Sequence, residues 1–596
     1  MAENLASFKV FCQGGLNTSR DVLSQGETQP GSATSLINYE PAVTGGYRKI
    51  NGFSNDYGTV TGTGSVLGVC VANGIKNGIL ACRKPSSGNN YLHWYDYNYT
   101  VNLGTGEGSS FSVGETVTGV VSSSDSTTVS ATGEVISKSA DSIVVYFGKL
   151  PSSVFEENNV ITGGTSAATG TVTSSGSVAI EWVAVTTSGS PTMTGVTKVR
   201  FTKFNFSTPK VLLTDGINPA ATYDGTTYTQ ITHANAPTDP KFSAVFQSRV
   251  FLAGDPAEDY NLYVSAPDAE TDFDPGNGAG VIPVGFPIVA IKPFRDALYV
   301  FGTNNIKKVV HNPSAPIHPP FDVQNVTDNL GCLATDSVIE IGGDLLFLSQ
   351  DGLRPISGTD KIGDVNLETV SKNIQSIFTD VIFDIDLEGL NAVVIRQKTQ
   401  FRYFFAGADT QGIIGGFRQT SSGLQFEYSQ MLGLVATCAD SGYIGQNEFV
   451  LHGDSSGKVH RQEQGNNFDG ADIFSLFQTP FFHMQDPEQR KIFYTVATYL
   501  RSEGDNSIVM SAVYDYEDVD TLSPTNFTLT TTGAAAYYNE ALYNSTAVFD
   551  GNPSPVQRTN ISGSGKSASF RYVTNDSNAA HSIQGLVVTF GVGDRL

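Results

Sequence analysis

Short apolar runs that each end in a turn recur along this chain at a nearly constant interval, and that interval limits the folds open to it. "SRVFLAGD" from Ser248, "DALYVFGTNN" from Asp296 and "GGDLLFLSQDGLRPI" from Gly342 place Phe251, Tyr299 and Phe347 at steps of 48 residues. Related runs are "VLLTDG" from Val211, "YFFAG" from Tyr403, "FVLHGDSSGKV" from Phe449 and, more weakly, "NGILACRK" from Asn77, which brings the count to seven. Each reads as a strand leading into a hairpin turn. Measured at the turn, from Gly216 through Gly254, Gly302, Gln350 and Gly407 to Gly453, the steps are 38 to 57 residues. Four strands of five or six residues with their turns take about 40 to 50, the length of one propeller blade.

A second apolar segment precedes the core strand in several units, as "FPIVAIKPF" does before "ALYVFG" and "TDSVIEIGG" before "DLLFLS". Radially stacked sheets are buried on both faces, which explains why these runs are continuously apolar and do not alternate. A solenoid fits the period but gives no reason for the varying spacing or for long loops such as "PIHPPFDVQNVTDN" from Pro316. The expected class is all-β: a propeller of six to eight blades, with seven the count of core strands.

Two other textures divide the chain. Between Gly104 and Val183 the sequence turns to Gly, Ser, Thr and Val, and "FSVGETVTG" from Phe111 matches "FEENNVITG" from Phe155, closing on Gly119 and Gly163. This predicts a small all-β insertion in a loop of the first blade, because loops tolerate such additions. After about Gly470, "RKIFYTVATYL", "NSIVMSAVYDY", "SASFRYVT" and "SIQGLVVTFGV" read as an antiparallel sandwich. The expected organisation is an N-terminal segment with the first part of the propeller over 1–103, the insertion over 104–180, the remaining blades over 181–470 and the sandwich over 471–596. One helix is predicted, "ETVSKNIQSIFTDV" from Glu368, with Val370, Ile374, Ile377, Phe378 and Val381 on one face.

The formal charge of −23 argues against a surface built to grip nucleic acid, which needs clustered Lys and Arg. Solubility explains it, as does a surface that stays near DNA without sticking to it; composition does not separate the two. The five cysteines, Cys12, Cys70, Cys82, Cys332 and Cys438, form no CxxC pair and leave one over, so reduced, buried thiols are expected, without zinc or a disulfide framework. The start "MAENLASFKV" lacks the basic end and apolar run of a secretory signal, and folding in a reducing cytosol is expected.

Motifs for chemistry are weak. Gly565-Lys566-Ser567 resembles the tail of a phosphate loop, but Asn560 stands where a Gly is required and a strand follows where a helix is needed. "GTGSVLG" from Gly62 is one residue too long for a dinucleotide fingerprint. His311 and His318 share a loop without metal-ligand spacing. Asp255, Glu258, Asp259, Asp268, Glu270, Asp272 and Asp274 form an acidic run that reads as a solvated loop, set against a glycosidase carboxylate pair. "DAETDFDPGNG" and "DYEDVD" from Asp515 lack the ligand spacing of a calcium loop. No catalytic, cofactor-binding or metal-binding residue is assigned, no cofactor is expected, and the expectation is a chain that is not an enzyme.

The succession of pieces carries a resemblance. The opening "GGLNTSRDVLSQGETQPGSATSLINYEPAVTGGYRKINGF", with Asn38, Glu40, Gly45, Gly46, Arg48, Lys49 and Gly52, resembles the start of the tail nozzle proteins, or tail tubular protein B, of short-tailed bacteriophages. The runs from Leu262 to Val309 and from Gly331 to Ile356, the strand at Arg490-Lys491 and the closing "FGVGDR" are similar to the same family. The resemblance implies a virion protein at the distal end of the tail, assembled in the host cytoplasm as a homo-oligomeric ring of six copies. It sits below the adaptor or gatekeeper ring and holds tail fibres or spikes outside. Genomic DNA is retained and then passes through the lumen without sequence-specific binding, toward the host envelope. Loops 255–280 and 312–330 and the insertion are the candidates for a gate. The alternative is a host-recognition tail spike or fibre with a carbohydrate-binding or depolymerase propeller.

Overall fold

The computed structural model describes residues 5–592 apart from 43–44, 125–126, 147–154, 175–177, 315–318, 358–368, 385–386, 406–410, 421–422, 485 and 532–554. His318 and the last residues of "FGVGDR" lie outside the described residues. Strands dominate, and the fold is the all-β propeller with added β domains that the repeats predict. Seven antiparallel sheets follow one another around an axis. Their innermost strands are Thr63–Val71, Arg200–Asn205, Phe242–Phe246, Ala290–Phe294, Ile339–Ile341, Asn391–Ile395 and Cys438–Ile444. Six blades have four strands, and the fifth has three among the described residues.

The seven recurring runs are the second strands of these seven blades: Ile79–Lys84, Pro209–Thr214, Arg249–Ala253, Ala297–Phe301, Asp344–Ser349, Gln400–Phe404 and Asn447–Gly453. A second strand is covered by sheet neighbours on both sides and by adjacent blades on both faces. Phe251 and Phe347 are accordingly fully buried and Tyr299 nearly so, and the Phe301 and Phe347 rings meet across blades 4 and 5 at 5.3 Å. Burying each such ring stabilises the stack by roughly 1.5–3 kcal/mol.

Ring closure comes from the far end of the chain. The outer strand of blade 7 is Phe53–Ser54, paired with Val459–Gln462 through Arg461↔Ser54 and Gln462↔Phe53. Phe53 stacks on Phe468 at 5.0 Å and meets His452 and His460 edge-on. A segment that precedes blade 1 thus finishes the last blade.

The sandwich draws on both chain ends. Leu5–Phe11 runs antiparallel to His581–Val592, which also pairs with Lys491–Ser502 and with the hairpin Tyr39–Pro41/Tyr47–Lys49. In the second sheet Ser35–Ile37 pairs with Ile473–Gln478 and, in parallel, with Gly423–Met431 of blade 6, so that blade and sandwich form one nine-stranded sheet. The N-terminal segment, expected with the first blade, therefore belongs to the sandwich through Tyr47–Lys49. One apolar core joins sandwich residues such as Phe493 and Phe570 to Leu348 of blade 5 and Tyr403 of blade 6. The predicted helix lies in that core as a 3-10 turn, Lys372–Ile374, followed by α-helix Gln375–Asp384, with Ile374, Ile377 and Phe378 buried.

The insertion leaves the third strand of blade 1, Leu92–Leu103, and returns as its outer strand, Val178–Ala184. Five strands, Thr116–Ser124, Thr127–Lys138, Ser142–Tyr146, Val160–Gly163 and Thr169–Ser174, join the end of Leu92–Leu103 in a closed six-stranded barrel. Its two sequence repeats are structural: Phe111 and Phe155, and Val117 and Ile161, all face its interior.

Candidate functional site: the axial cavity of the propeller

The inner strands of all seven blades enclose a cavity of about 480 Å³ on the propeller axis. The inner strand is the edge of each blade nearest the axis, and its side chains alternate toward the two neighbouring blades, so residues of both parities line the cavity. Blade 2 is the richest: "KVRFTK" brings Lys198, Arg200 and Lys203 to the wall. Blade 4 adds Lys292, blade 5 adds Asp336 and Glu340, and Arg396 and Asp440 come from blades 6 and 7.

Ion pairs cross the axis. Lys198 Nζ and Arg200 Nη2 both lie 2.8 Å from Asp336 Oδ2, and Arg200 Nε donates to Oδ1 at 3.1 Å. Blades 2 and 5 are not neighbours, so these bonds tie opposite sides of the ring together. Burial pushes the Asp336 carboxyl up, but the adjacent Arg200 and Lys198 outweigh it and hold the group well below the usual carboxylate range. Lys203 Nζ reaches Asp440 Oδ2 of blade 7 at 2.8 Å, and the Val71 N–H donates to the same oxygen at 2.8 Å. Arg396 Nη1 donates to Ser441 Oγ at 3.0 Å. Lys292 differs from these: its ammonium has no hydrogen-bond or ion-pair partner among the described residues, and desolvation lowers its pKa.

The sequence candidates sit in turns, caps and ion pairs, and His311, expected in a loop, ends the strand Ile306–His311. Asp255 accepts from the backbone N–H groups of Thr238, Asp239 and Ala257. Glu270 pairs with Lys210, and Asp274 caps a 3-10 turn through the Gly276 N–H. In the phosphate-loop look-alike the Lys566 and Ser567 N–H groups donate to Asp515 Oδ1 at 2.7 and 3.0 Å, so the donors are already used. His311 rests against the Phe321 ring. Among the described residues no three His, Cys, Asp or Glu side chains form a metal-binding group, and all five cysteines are free and buried. Glu115 of the insertion accepts from the N–H groups of Ser112, Thr165 and Ser166; burial opposes its charge, but these donors lower its pKa to about 2.

The opening-segment residues that carry the resemblance, from Asn38 to Gly52, meet in one joint between sandwich and propeller. Asn38 Nδ2 donates to Leu432 O and Phe474 O, both at 2.8 Å. Glu40 accepts from Arg48 Nη1 at 3.0 Å, Lys398 Nζ at 2.7 Å and Gln400 Nε2 at 3.2 Å. Lys49 Nζ pairs with Asp576 at 2.7 Å, and Arg48 with Glu503 at 2.6 Å. Gly46, at φ +83°, lies against the Ile583 backbone, and Gly52 against that of Asn467, where a Cβ has no room.

No family model matches the chain, and no curated protein matches it. Solved structures similar to it include the exo-β-1,3-galactanase of Phanerochaete chrysosporium, at 11% identity over 82% of this chain and 100% of that one, TM-score 0.20. A family 43 arabinoxylan arabinofuranohydrolase of Bacillus subtilis matches at 10% identity over 67% and 79%, TM-score 0.19. An ancestral family 74 glycoside hydrolase matches at 11% identity over 77% and 60%, TM-score 0.24. At these identities and TM-scores no residue of this chain takes a role from them. They do correct one expectation: that the chain is not an enzyme does not stand beside neighbours that are glycoside hydrolases.

Proposed function

We propose that the chain is the nozzle subunit of a short phage tail, a virion protein that assembles as a ring and retains, then conducts, the DNA. The supporting observation is the joint: Asn38, Glu40, Gly46, Arg48, Lys49 and Gly52, which carry the resemblance to that family, form one contact system fixing sandwich to blades 6 and 7. A resemblance in residues that act as one structural unit is stronger support than the same number of scattered matches. The propeller axis is crossed by the Lys198–Asp336–Arg200 pairs, so the DNA path in this reading runs between copies. The adaptor ring, the fibres and the hexameric count belong to the same proposal. Electron cryomicroscopy of the virion tests it by showing a distal ring built of this chain.

A second reading, a host-recognition tail protein whose propeller binds or cleaves carbohydrate, is favoured by the axial cavity with its polar walls. Glycan-array binding by the purified protein supports this reading, and absence of binding to any glycan removes it.

A further inference from the structure

The chain carries 23 more negative than positive charges, yet five cations, Lys198, Arg200, Lys203, Lys292 and Arg396, line the axial cavity against three carboxylates, Asp336, Glu340 and Asp440. Two of the carboxylates are consumed: Asp336 by Lys198 and Arg200, and Asp440 by Lys203. The third, Glu340, is exposed and forms no ion pair with Lys292. A desolvated ammonium without a partner is costly, and natural interiors supply one with a counter-charge. Here no carboxylate pairs directly with the ammonium, although Asp440, Glu340 and Asp336 act on it from a distance, and Lys292 lines a cavity whose volume matches a small organic ligand. Hydroxyls line the same cavity. Thr202 Oγ1 donates to Ser243 O at 3.0 Å and shares a 2.8 Å hydrogen bond with Ser243 Oγ, so both hydroxyls keep acceptor capacity.

We propose that the axial cavity binds a small polyhydroxylated oxyanion, a sugar bearing a carboxylate or phosphate, with Lys292 as the anion's counter-ion. The cross-axis pairs keep Lys198, Arg200 and Lys203 occupied and in place, and Arg396 is held by Ser441 Oγ and by Glu448 at 3.8 Å, so that the ligand charge goes to Lys292 while the hydroxyls of Thr202 and Ser243 take its OH groups. Asp440, Lys203, Glu340 and Asp336 are the charged groups that act on the Lys292 ammonium. Asp440, Glu340 and Asp336 favour its protonated form, which is the form that binds an anion. The inference deepens the carbohydrate reading of the propeller and rests on it for the polyhydroxylated part of the ligand; the anionic part rests on the cavity alone.

The test is isothermal titration of the full chain with glucuronate, glucose 6-phosphate, inorganic phosphate and neutral glucose, using wild type, Lys292→Met and, as a surface control, Lys84→Met. The expected result is saturable binding of the two anionic sugars, weakened at least about tenfold by K292M and unchanged by K84M, with glucose silent. Should K292M fail to fold, acetylation of wild-type Lys292 read by mass spectrometry replaces it: glucuronate is expected to slow the reaction and glucose to leave it unchanged. Inorganic phosphate binding as tightly as either sugar anion overturns the organic ligand class. Neutral glycans binding without dependence on Lys292 overturn the inference and leave the carbohydrate reading standing, whereas silence of every sugar overturns both.

Discussion

Glu40 Oε2 and Arg402 Nη2 lie 3.7 Å apart, with 3% and 1% of their side chains exposed, although one belongs to the N-terminal hairpin and the other to the second strand of blade 6. Arg402 also pairs with Glu463 and donates to Gln462 Oε1 at 2.9 Å, and Lys398 bridges both carboxylates. Removing the Arg402 charge leaves two buried carboxylates short of a partner. Arg402→Met is expected to destabilise the fold by about 3 to 5 kcal/mol, the range for breaking a buried pair from one side. Urea denaturation measures it, and a change under about 1 kcal/mol contradicts a structural role for the joint.

The pH dependence follows from groups whose folded pKa lies below the ordinary value. Burial opposes the Glu463 charge, but Arg402 and Lys398 lower its pKa to about 2, so its contribution is complete above about 4.5 and is lost as pH falls toward 2. Burial lowers His581 to about 3 and His93 to about 4, so the unfolded chain takes up protons on these rings as pH falls below 6.5 while the folded chain does not. All three effects have the same sign: stability falls with acid, by up to ~1.4 kcal/mol per pH unit for each proton taken up on unfolding. Urea midpoints measured from pH 7 to pH 4 are expected to decrease steadily, and a flat profile contradicts the burial of these rings.

What the sequence discloses depends on how local the responsible contacts are. The seven second strands are visible because burial on both faces leaves a continuous apolar run in one short window. The pairing of Leu5–Phe11 with His581–Val592 leaves no such trace, because partners at opposite chain ends share no window. The helix Val22–Thr28 has no apolar stripe and contains Gly26; its one signal is Asp21, whose side chain accepts the Ser24 N–H at 2.8 Å as an N-cap. The axial cations are missed for a related reason. Lys203 and Lys292 sit in separate blades, and only ring closure brings them to one cavity.

The barrel insertion has its own core and is attached through one strand pair of blade 1, registered at Tyr99↔Val178. Replacing residues 100–177 by a four-residue Asn-Gly turn is expected to leave the main thermal transition within a few degrees of wild type. Differential scanning calorimetry checks this, and loss of the cooperative transition shows that the barrel supports the propeller. If virions carrying the deletion retain their DNA, the insertion is cleared of a gating role.

Burial pushes the thiols up, Cys12 and Cys438 to about 12 and Cys332 to about 11, so little thiolate forms in the folded chain. An aromatic disulfide reagent is expected to titrate fewer than one thiol per native chain within minutes and all five after denaturation in guanidinium. Rapid native labelling of several thiols contradicts the packing of the propeller core.

The most direct measurement is electron cryomicroscopy of purified virions at a resolution that traces the chain. The proposal expects this protein as a ring at the distal end of a short tail, with the DNA lumen bounded by neighbouring copies and each propeller axis displaced from it. A chain placed instead as a separate spike, or found outside the tail, contradicts it.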